Sequence, residues 1–289
     1  MPKRSDDKGL VIRLSADGQS SIAGYLETVF SLKGKVILFT GAAGGIGSVI
    51  CKGYARAGAQ VALCDMDADK LTELEKEIRA EGGSASSFTL DLTRMGDAAD
   101  CVKRVIAACG RIDVLFNCAG INKREGLLDV EEGTYDRIMQ INLKGLYFIS
   151  QEVAKHMRES GKGNIINMAS HNSVGMLGGC SVYGAAKSAV TALTRSMAVE
   201  WAKFGIRANA IAPGHILTPL TTVTWEHPTR SAYLKERIAM ERPGTPEEIV
   251  GVAILLASDA SSYMSGMMVH IDGGCLAGGV PWDFDTRYN

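Results

Sequence analysis

Short apolar runs alternate along the chain with longer stretches whose apolar positions recur every three or four residues. KVILFT (35–40) reads as a buried strand, and SVICKGYARAGA (48–59) has helical spacing that stops at Gly58. QVALCD (60–65) is a second strand, followed by the amphipathic helix pattern ADKLTELEKEIRAEGG (68–83). Further strands are expected at SSFTLD (86–91), DVLFNCAG (113–120), NIINMAS (164–170), RANAIAPG (207–214) and MVHID (268–272). Helices are expected over 94–109, 134–159, 181–203 and 246–257. Apolar strands repeated in alternation with helices imply a parallel sheet covered on both faces.

Right-handed crossovers turn that alternation into a single Rossmann-like, doubly wound parallel sheet of about seven strands, in one α/β domain spanning 31–275. Residues 1–30 lack clear periodicity and are expected as an N-terminal extension. Residues from about 215 to 243 are polar and aromatic, with Trp225, His227 and Tyr233, and are expected as a lid within the domain. Residues 276–289 form a C-terminal tail whose Trp282, Phe284 and Tyr288 suit a subunit interface. In such a sheet ligands bind outside the carboxyl ends of the strands. Gly41, Asp65, Asp91, Asn117, Ser170 and Pro213 all fall at or just after expected strand ends, and so converge on one rim.

Composition narrows the chemistry. With 46% hydrophobic and 22% charged residues the chain is an ordinary globular sequence that can bury a sizeable core. A net charge of −1 provides no basic field for nucleic acid or acidic lipid, which leaves a small-molecule substrate. No run of about 18 apolar residues appears, so no membrane span is expected. The cysteines at 51, 64, 101, 109, 118, 180 and 275 are odd in number and show no ligand spacing. They read as reduced thilols of a cytoplasmic protein without a metal site. The first residues, MPKRSDDKGLVIRL, contain no secretory apolar core.

The first strand runs into TGAAGGIG, with Gly41, Gly45 and Gly47. Glycines there allow a sharp turn and close approach of a phosphate, while the next helix offers free amides to a pyrophosphate. A tight turn that binds nothing is the bland alternative. TGxxxGIG, with Ile46, resembles the fingerprint of the short-chain dehydrogenase/reductase family, and the likeness runs from about residue 31 to 275. Asp65, near 20 residues past the glycines, can accept hydrogen bonds from the adenosine ribose and would repel a 2′-phosphate. No Arg or Lys is evident to welcome that phosphate, so the expected cofactor is NAD. The resemblance implies that Asp91 meets the adenine amino group and Leu92 supplies the neighbouring backbone contact. It also matches Asn117-Cys118-Ala119-Gly120 to the family's NNAG, with cysteine in place of the second asparagine.

Tyr183 and Lys187 in YGAAK stand one helical turn apart and share a face. With Ser170 thirteen residues upstream, the spacing resembles the family's catalytic constellation. Hydride can leave a carbinol carbon only as its hydroxyl proton is removed, and a phenol near pKa 10 is a poor base at neutral pH. Lowering it by about three units takes roughly 4 kcal/mol. A lysine charge about 4 Å away supplies about 1 kcal/mol in bulk water and about 4 at an effective dielectric near 20. Lys187 is therefore expected to lower the Tyr183 pKa in a water-excluded pocket, while Ser170 holds the substrate oxygen. The resemblance makes Asn142, in MQINLKG, the fourth active-site residue, in a helix bent around a proton-relaying water. It also places Tyr183, Lys187, Pro213, Gly214, the Ile216 backbone and the Thr218 hydroxyl beside the nicotinamide.

Arg124, His171 and His215 join Ser170 as candidate substrate contacts. Arg124 would suit a carboxylate or sulfonate. GINKRE, SQEVAKHM, LTRSMAVEWA and IDGG look most like the sugar and sugar-acid dehydrogenases of the family, of the gluconate 5-dehydrogenase and deoxygluconate dehydrogenase kind. The expected reaction interconverts a secondary alcohol and a ketone, or a hemiacetal carbon and a lactone, on a sugar, sugar acid or polyol. A 3-oxoacyl-type ketoreductase using NADPH is the alternative within the family, and a non-catalytic NAD-binding sensor or scaffold the alternative outside it. The resemblance further implies a homotetramer.

Overall fold

The computed structural model describes residues 22–94 and 96–279. Seven strands, β1 (Val36–Thr40), β2 (Gln60–Asp65), β3 (Ser84–Thr89), β4 (Val114–Asn117), β5 (Gly163–Met168), β6 (Ile206–Pro213) and β7 (Met268–Ile271), pair in the order β3-β2-β1-β4-β5-β6-β7. Every pairing is parallel. The helices are α1 (Ile22–Phe30), α2 (Gly47–Arg56), α3 (Ala68–Ala80), α4 (Asp97–Cys109), α5 (Glu132–Met139), α6 (Leu146–Ser160), α7 (Ser181–Trp201), α8 (Thr222–Trp225), α9 (Pro228–Lys235) and α10 (Glu247–Ala257).

Alternate residues of each strand feed two separate cores, as the doubly wound arrangement requires. Ile37 and Phe39 of β1 pack with Ile50, Tyr54, Leu74 and Ile249 from α2, α3 and α10. Leu38, between them, packs with Val105, Ile149, Val153 and Val190 from α4, α6 and α7. The chain leaves β1 towards β2 on one side, while β4 pairs on the other. That reversal opens a crevice at the carboxyl ends of β1 and β4.

Two elements differ from expectation in ways that shape this rim. The fourth strand ends at Asn117 rather than 120, which frees Cys118, Ala119 and Gly120 to line the crevice. The stretch expected as one helix over 134–159 is interrupted by a π-helical turn, Gln140–Gly145, between α5 and α6. Asn142 lies in it and donates from Nδ2 to the carbonyls of Ile138 and Ile121, each at 2.9 Å. A side chain that bonds the carbonyl four residues back competes with the backbone ladder, and the turn widens around it.

Part of the expected N-terminal extension is helical: Ile22–Phe30 form α1, and residues 1–21 lie outside the described residues. The tail residues Trp282, Phe284 and Tyr288 also lie outside them. Among the described residues, no helix is long and apolar enough to cross a membrane.

Candidate active site

A crevice of about 1690 Å³ runs along the carboxyl ends of the central strands. Its first wall is the loop from β1 to α2. Gly41 adopts φ +72° and lies so close to the Ala119 backbone that a Cβ would stand 2.7 Å from the Ala119 Cα. A Cβ on Gly47 would collide with the Gly41 carbonyl oxygen, and one on Gly45 would press on Thr218. The loop is thus a cradle that side chains would fill. Helix α2 begins beside Ile46 without a side-chain cap; its Ser48 amide donates to the Gly44 carbonyl at 2.9 Å, so the remaining amides of its first turn are the ones left for an anion.

Asp65, at the end of β2, accepts from the Ala43 amide at 3.1 Å and from the Asp67 amide at 3.2 Å. Its carboxylate is thereby fixed against the glycine loop. The expectation that no cation stands nearby is corrected: Lys70 also lines the crevice. Its ammonium pairs with Asp67 at 2.8 Å, so it faces a competing carboxylate. The i to i+3 spacing of Asp67 and Lys70 at the start of α3 carried that information in the sequence. Asp91 accepts from the amide and hydroxyl of Thr93, which hold its carboxyl below the usual range. The Leu92 carbonyl accepts from the Gln140 side chain at 3.1 Å.

Asn117, expected among the cofactor contacts, does not line the crevice. Its amide nitrogen donates to Ser150 and to the Asn167 oxygen, each at 2.9 Å, and Asn167 in turn donates to Thr194. The side chain points into the α6–α7 layer, where this buried chain ties β4 and β5 to both helices. The other cofactor positions, Gly41, Gly45, Ile46, Gly47, Asp65, Asp91, Leu92, Ala119, Gly120, Pro213, Gly214, Ile216 and Thr218, all line the crevice. The Ile216 carbonyl accepts from the Thr221 hydroxyl at 2.7 Å, and the Thr218 and Thr221 hydroxyls stand 3.2 Å apart.

Ser170, Tyr183 and Lys187 meet on the same crevice. Ser170 is extended, and the Asn172 amide donates to its Oγ at 3.1 Å, which fixes the hydroxyl. A hydrogen bond with Ser170 lowers the Tyr183 pKa, but burial outweighs it and the phenol stands above its ordinary value. The expected lowering by Lys187 is therefore not what the structure displays. Removal of the phenolate from water dominates, and the Lys187 ammonium donates to the Met168 carbonyl at 2.7 Å. Burial pulls Lys187 itself down to about 8. Behind the crevice wall, Asn142 is fully buried and its Oδ1 has no hydrogen-bond partner. A Cβ on Gly120 would collide with that oxygen at 2.5 Å and reach 3.4 Å from Lys187 Nζ, so Gly120 lets the three groups converge.

His171, His215 and Arg124 line the far end of the crevice. Lys123 turns away, paired with Glu125 at 2.5 Å, whereas Arg124 makes no ion pair among the described residues. Asn122, Asn172 and Lys144 also line the crevice and were not singled out by the sequence reading. Asn122 stands outside helix and strand, Asn172 in the short turn after β5 and Lys144 in the π turn, where no regular apolar spacing would have found them.

A family model described as enoyl-(acyl carrier protein) reductase matches residues 41–275. Gluconate 5-dehydrogenase of Gluconobacter oxydans is 37% identical over 246 residues, covering 85% of this chain and 96% of that protein. The 3-oxoacyl-[acyl-carrier-protein] reductase of Thermotoga maritima is 39% identical over 247 residues, covering 85% and 99%. Among solved structures, a gluconate 5-dehydrogenase from Burkholderia cenocepacia in complex with NADP and tartrate is similar with a TM-score of 0.84. It is 34% identical, and the match covers 87% of this chain and 99% of that one.

Proposed function

This chain belongs to the short-chain dehydrogenase/reductase family, oxidoreductases that act on CH–OH groups with a nicotinamide cofactor, and we propose that it is an NAD(H)-dependent dehydrogenase of a sugar acid, sugar or polyol. The observation that carries this reading is the meeting of Ser170, Tyr183 and Lys187 in one crevice with the glycine cradle. The cradle fits a dinucleotide: Gly41 and Gly47 leave space that a Cβ would occupy, and uncapped α2 faces it. Asp65 would hold the adenosine ribose, and its fixed negative charge favours NAD over NADP. Asp91 and Leu92 would hold the adenine, and Ile216 and Thr218 the nicotinamide end.

A bound nicotinamide cofactor would supply the hydride acceptor for oxidation and the hydride donor for reduction. In the oxidative direction, Ser170, its Oγ already fixed by the Asn172 amide, orients the substrate hydroxyl and stabilises charge on that oxygen. As the phenolate, its own proton having left first, Tyr183 takes the hydroxyl proton as the C–H bond breaks, and as the phenol it gives that proton back in reduction. Lys187, which at about 8 keeps most of its charge at neutral pH, stands one turn away and offers the phenolate a counter-charge against the burial that opposes it. The open Oδ1 of Asn142 beside Lys187 offers the next acceptor along the route by which the proton leaves.

The relatives named for gluconate oxidation and the guanidinium of Arg124, which makes no ion pair among the described residues, support an acidic substrate. The Thermotoga reductase is the observation that favours the rival reading, an NADPH-type ketoreductase acting on 3-oxoacyl groups. NADH production across sugar acids, sugars and polyols, with NADP and a 3-oxoacyl thioester run alongside, tests both. Turnover confined to the thioester and NADPH would replace this reading with its rival. The reading includes a homotetramer, supported by Tyr147, Phe148 and Val199 standing exposed on α6 and α7. It includes a cytoplasmic location, supported by seven free thiols.

A further inference from the structure

The crevice beyond Ser170 carries two imidazoles that hydride transfer does not use. His171 follows Ser170 in the 3₁₀ turn His171–Ser173, and His215 follows Gly214 after β6. Strands β5 and β6 pair with Met168 opposite Ile211, so the two segments leave the sheet side by side. The ring centres lie 4.6 Å apart at an interplanar angle of 55°. His215 meets Trp225 of α8 edge-on at 6.3 Å, which fixes the pair from the lid side. Both rings line the crevice together with Ser170 and Tyr183.

His171 Nδ1 lies 3.4 Å from the Pro213 carbonyl. A carbonyl only accepts, so Nδ1 carries the hydrogen, and in the neutral ring Nε2 is left as an acceptor. Burial holds His171 below its ordinary pKa, opposed by the Pro213 carbonyl and Asp272 and reinforced by His270. Burial holds His215 at about 4, with His171 and Arg124 acting in the same direction and Asp272 against them. The His215 ring makes no hydrogen bond among the described residues. Two neutral imidazoles with open nitrogens therefore stand beside the reacting groups. Such nitrogens cost free energy if an apolar chain covers them, and a hydroxyl, donor and acceptor at once, satisfies them.

We infer that His171 and His215 form a specificity-determining pair that reads a hydroxyl on a carbon next to the reacting carbinol, admitting polyhydroxylated substrates and rejecting acyl chains. The inference rests on the hydride-transfer reading above. Its test uses the full-length enzyme and matched substrates that differ by one neighbouring hydroxyl: D-threitol against 1,2,4-butanetriol, and D-gluconate against 4-deoxy-D-gluconate. The wild type is expected to favour the hydroxylated member by about 30-fold or more in kcat/KM. His171→Phe and His215→Phe are expected to bring that preference below about threefold, with the loss falling on the hydroxylated member. His171→Asn and His215→Asn, which keep polar atoms, recover part of it. Unchanged NADH affinity, read by fluorescence, shows that the variants are folded.

A preference that survives in both Phe variants, or equal losses on both members of each pair, overturns the inference while leaving the hydride-transfer reading intact. A wild type that oxidises no carbinol in a broad panel, while still binding NADH, overturns that reading and this inference with it.

Discussion

The Lys187 ammonium lies 5.6 Å from the centre of the Tyr183 ring, one turn further along α7. Burial raises the phenol and lowers the amine to about 8, so each group is pushed towards its neutral form. The two titrations are thereby driven apart, the amine losing its proton well before the phenol. This arrangement gives the amine a signature in stability that does not depend on turnover. Unfolded, Lys187 titrates near 10.5; folded, it titrates at about 8. Between those values the unfolded chain binds the extra proton, so stability rises with pH across that window, by roughly 3 kcal/mol in all. Lys187→Met should lack this rise. Urea unfolding midpoints at pH 7 and pH 10 for both proteins measure it, and parallel curves would contradict the burial of a charged amine.

Tyr183→Phe keeps the ring and removes the proton acceptor. Turnover should fall about 10³-fold, while NADH affinity stays within about twofold. A variant that keeps half the wild-type rate would remove Tyr183 from the mechanism.

The strand and helix alternation and the shared face of Tyr183 and Lys187 were legible because each rests on short-range periodicity, whereas the step back to Ser170 was legible through its resemblance to the family pattern. The glycine loop was legible because only glycine tolerates the φ of Gly41 and the approach of Gly47 to it. What escaped depends on long-range contact. Nothing local tells that the Asn117 side chain turns towards Ser150 and Asn167 instead of the crevice, because that choice is made by β4 pairing with β5. The bend at Asn142 was implied by the family resemblance alone, because the π turn that makes it involves the Ile121 carbonyl, 21 residues away. Nor does sequence show that burial would outweigh the hydrogen bond with Ser170 at Tyr183. The joining of His171 to His215 likewise required the register of β5 on β6.

Gly41 and Gly34 separate strain from contact. Both have positive φ, +72° and +75°, but a Cβ on Gly34 meets nothing within 4 Å while one on Gly41 meets Ala119. Gly34→Ala should cost about 1 kcal/mol from backbone strain alone. Gly41→Ala should cost at least about 2 kcal/mol more and weaken NADH binding. Chemical denaturation and fluorescence titration of both variants measure the difference, and equal costs would contradict the close approach of Gly41 to Ala119.

Asp65→Asn removes the charge at the expected ribose position but keeps an oxygen to accept from the Ala43 amide. The NAD over NADP preference in kcat/KM should drop by at least about tenfold, the equivalent of about 1.4 kcal/mol of charge repulsion. The variant leaves the Lys70–Asp67 pair in place, so a gain for NADP would report the carboxylate of Asp65 and not a released lysine. An unchanged ratio would mean that coenzyme choice lies elsewhere in the crevice.

Arg124 tests the acidic part of the substrate reading. Its guanidinium lines the crevice without an ion pair among the described residues, whereas neighbouring Lys123 is committed to Glu125. A charge-assisted contact to a carboxylate contributes about 1.5–3 kcal/mol, so Arg124→Ala should raise KM for acidic substrates roughly tenfold to a hundredfold. Neutral polyols should be unaffected, since they offer nothing for the guanidinium to pair. The difference also has a salt signature: wild-type KM for an acid should climb with ionic strength as the attraction is screened, and the Ala variant should be flat. Because Arg124 also lowers the His215 pKa, its removal should let that imidazole take a proton at a higher pH than in the wild type. Equal KM values for acids in wild type and variant would exclude Arg124 from substrate binding and leave the two histidines to define that end of the site.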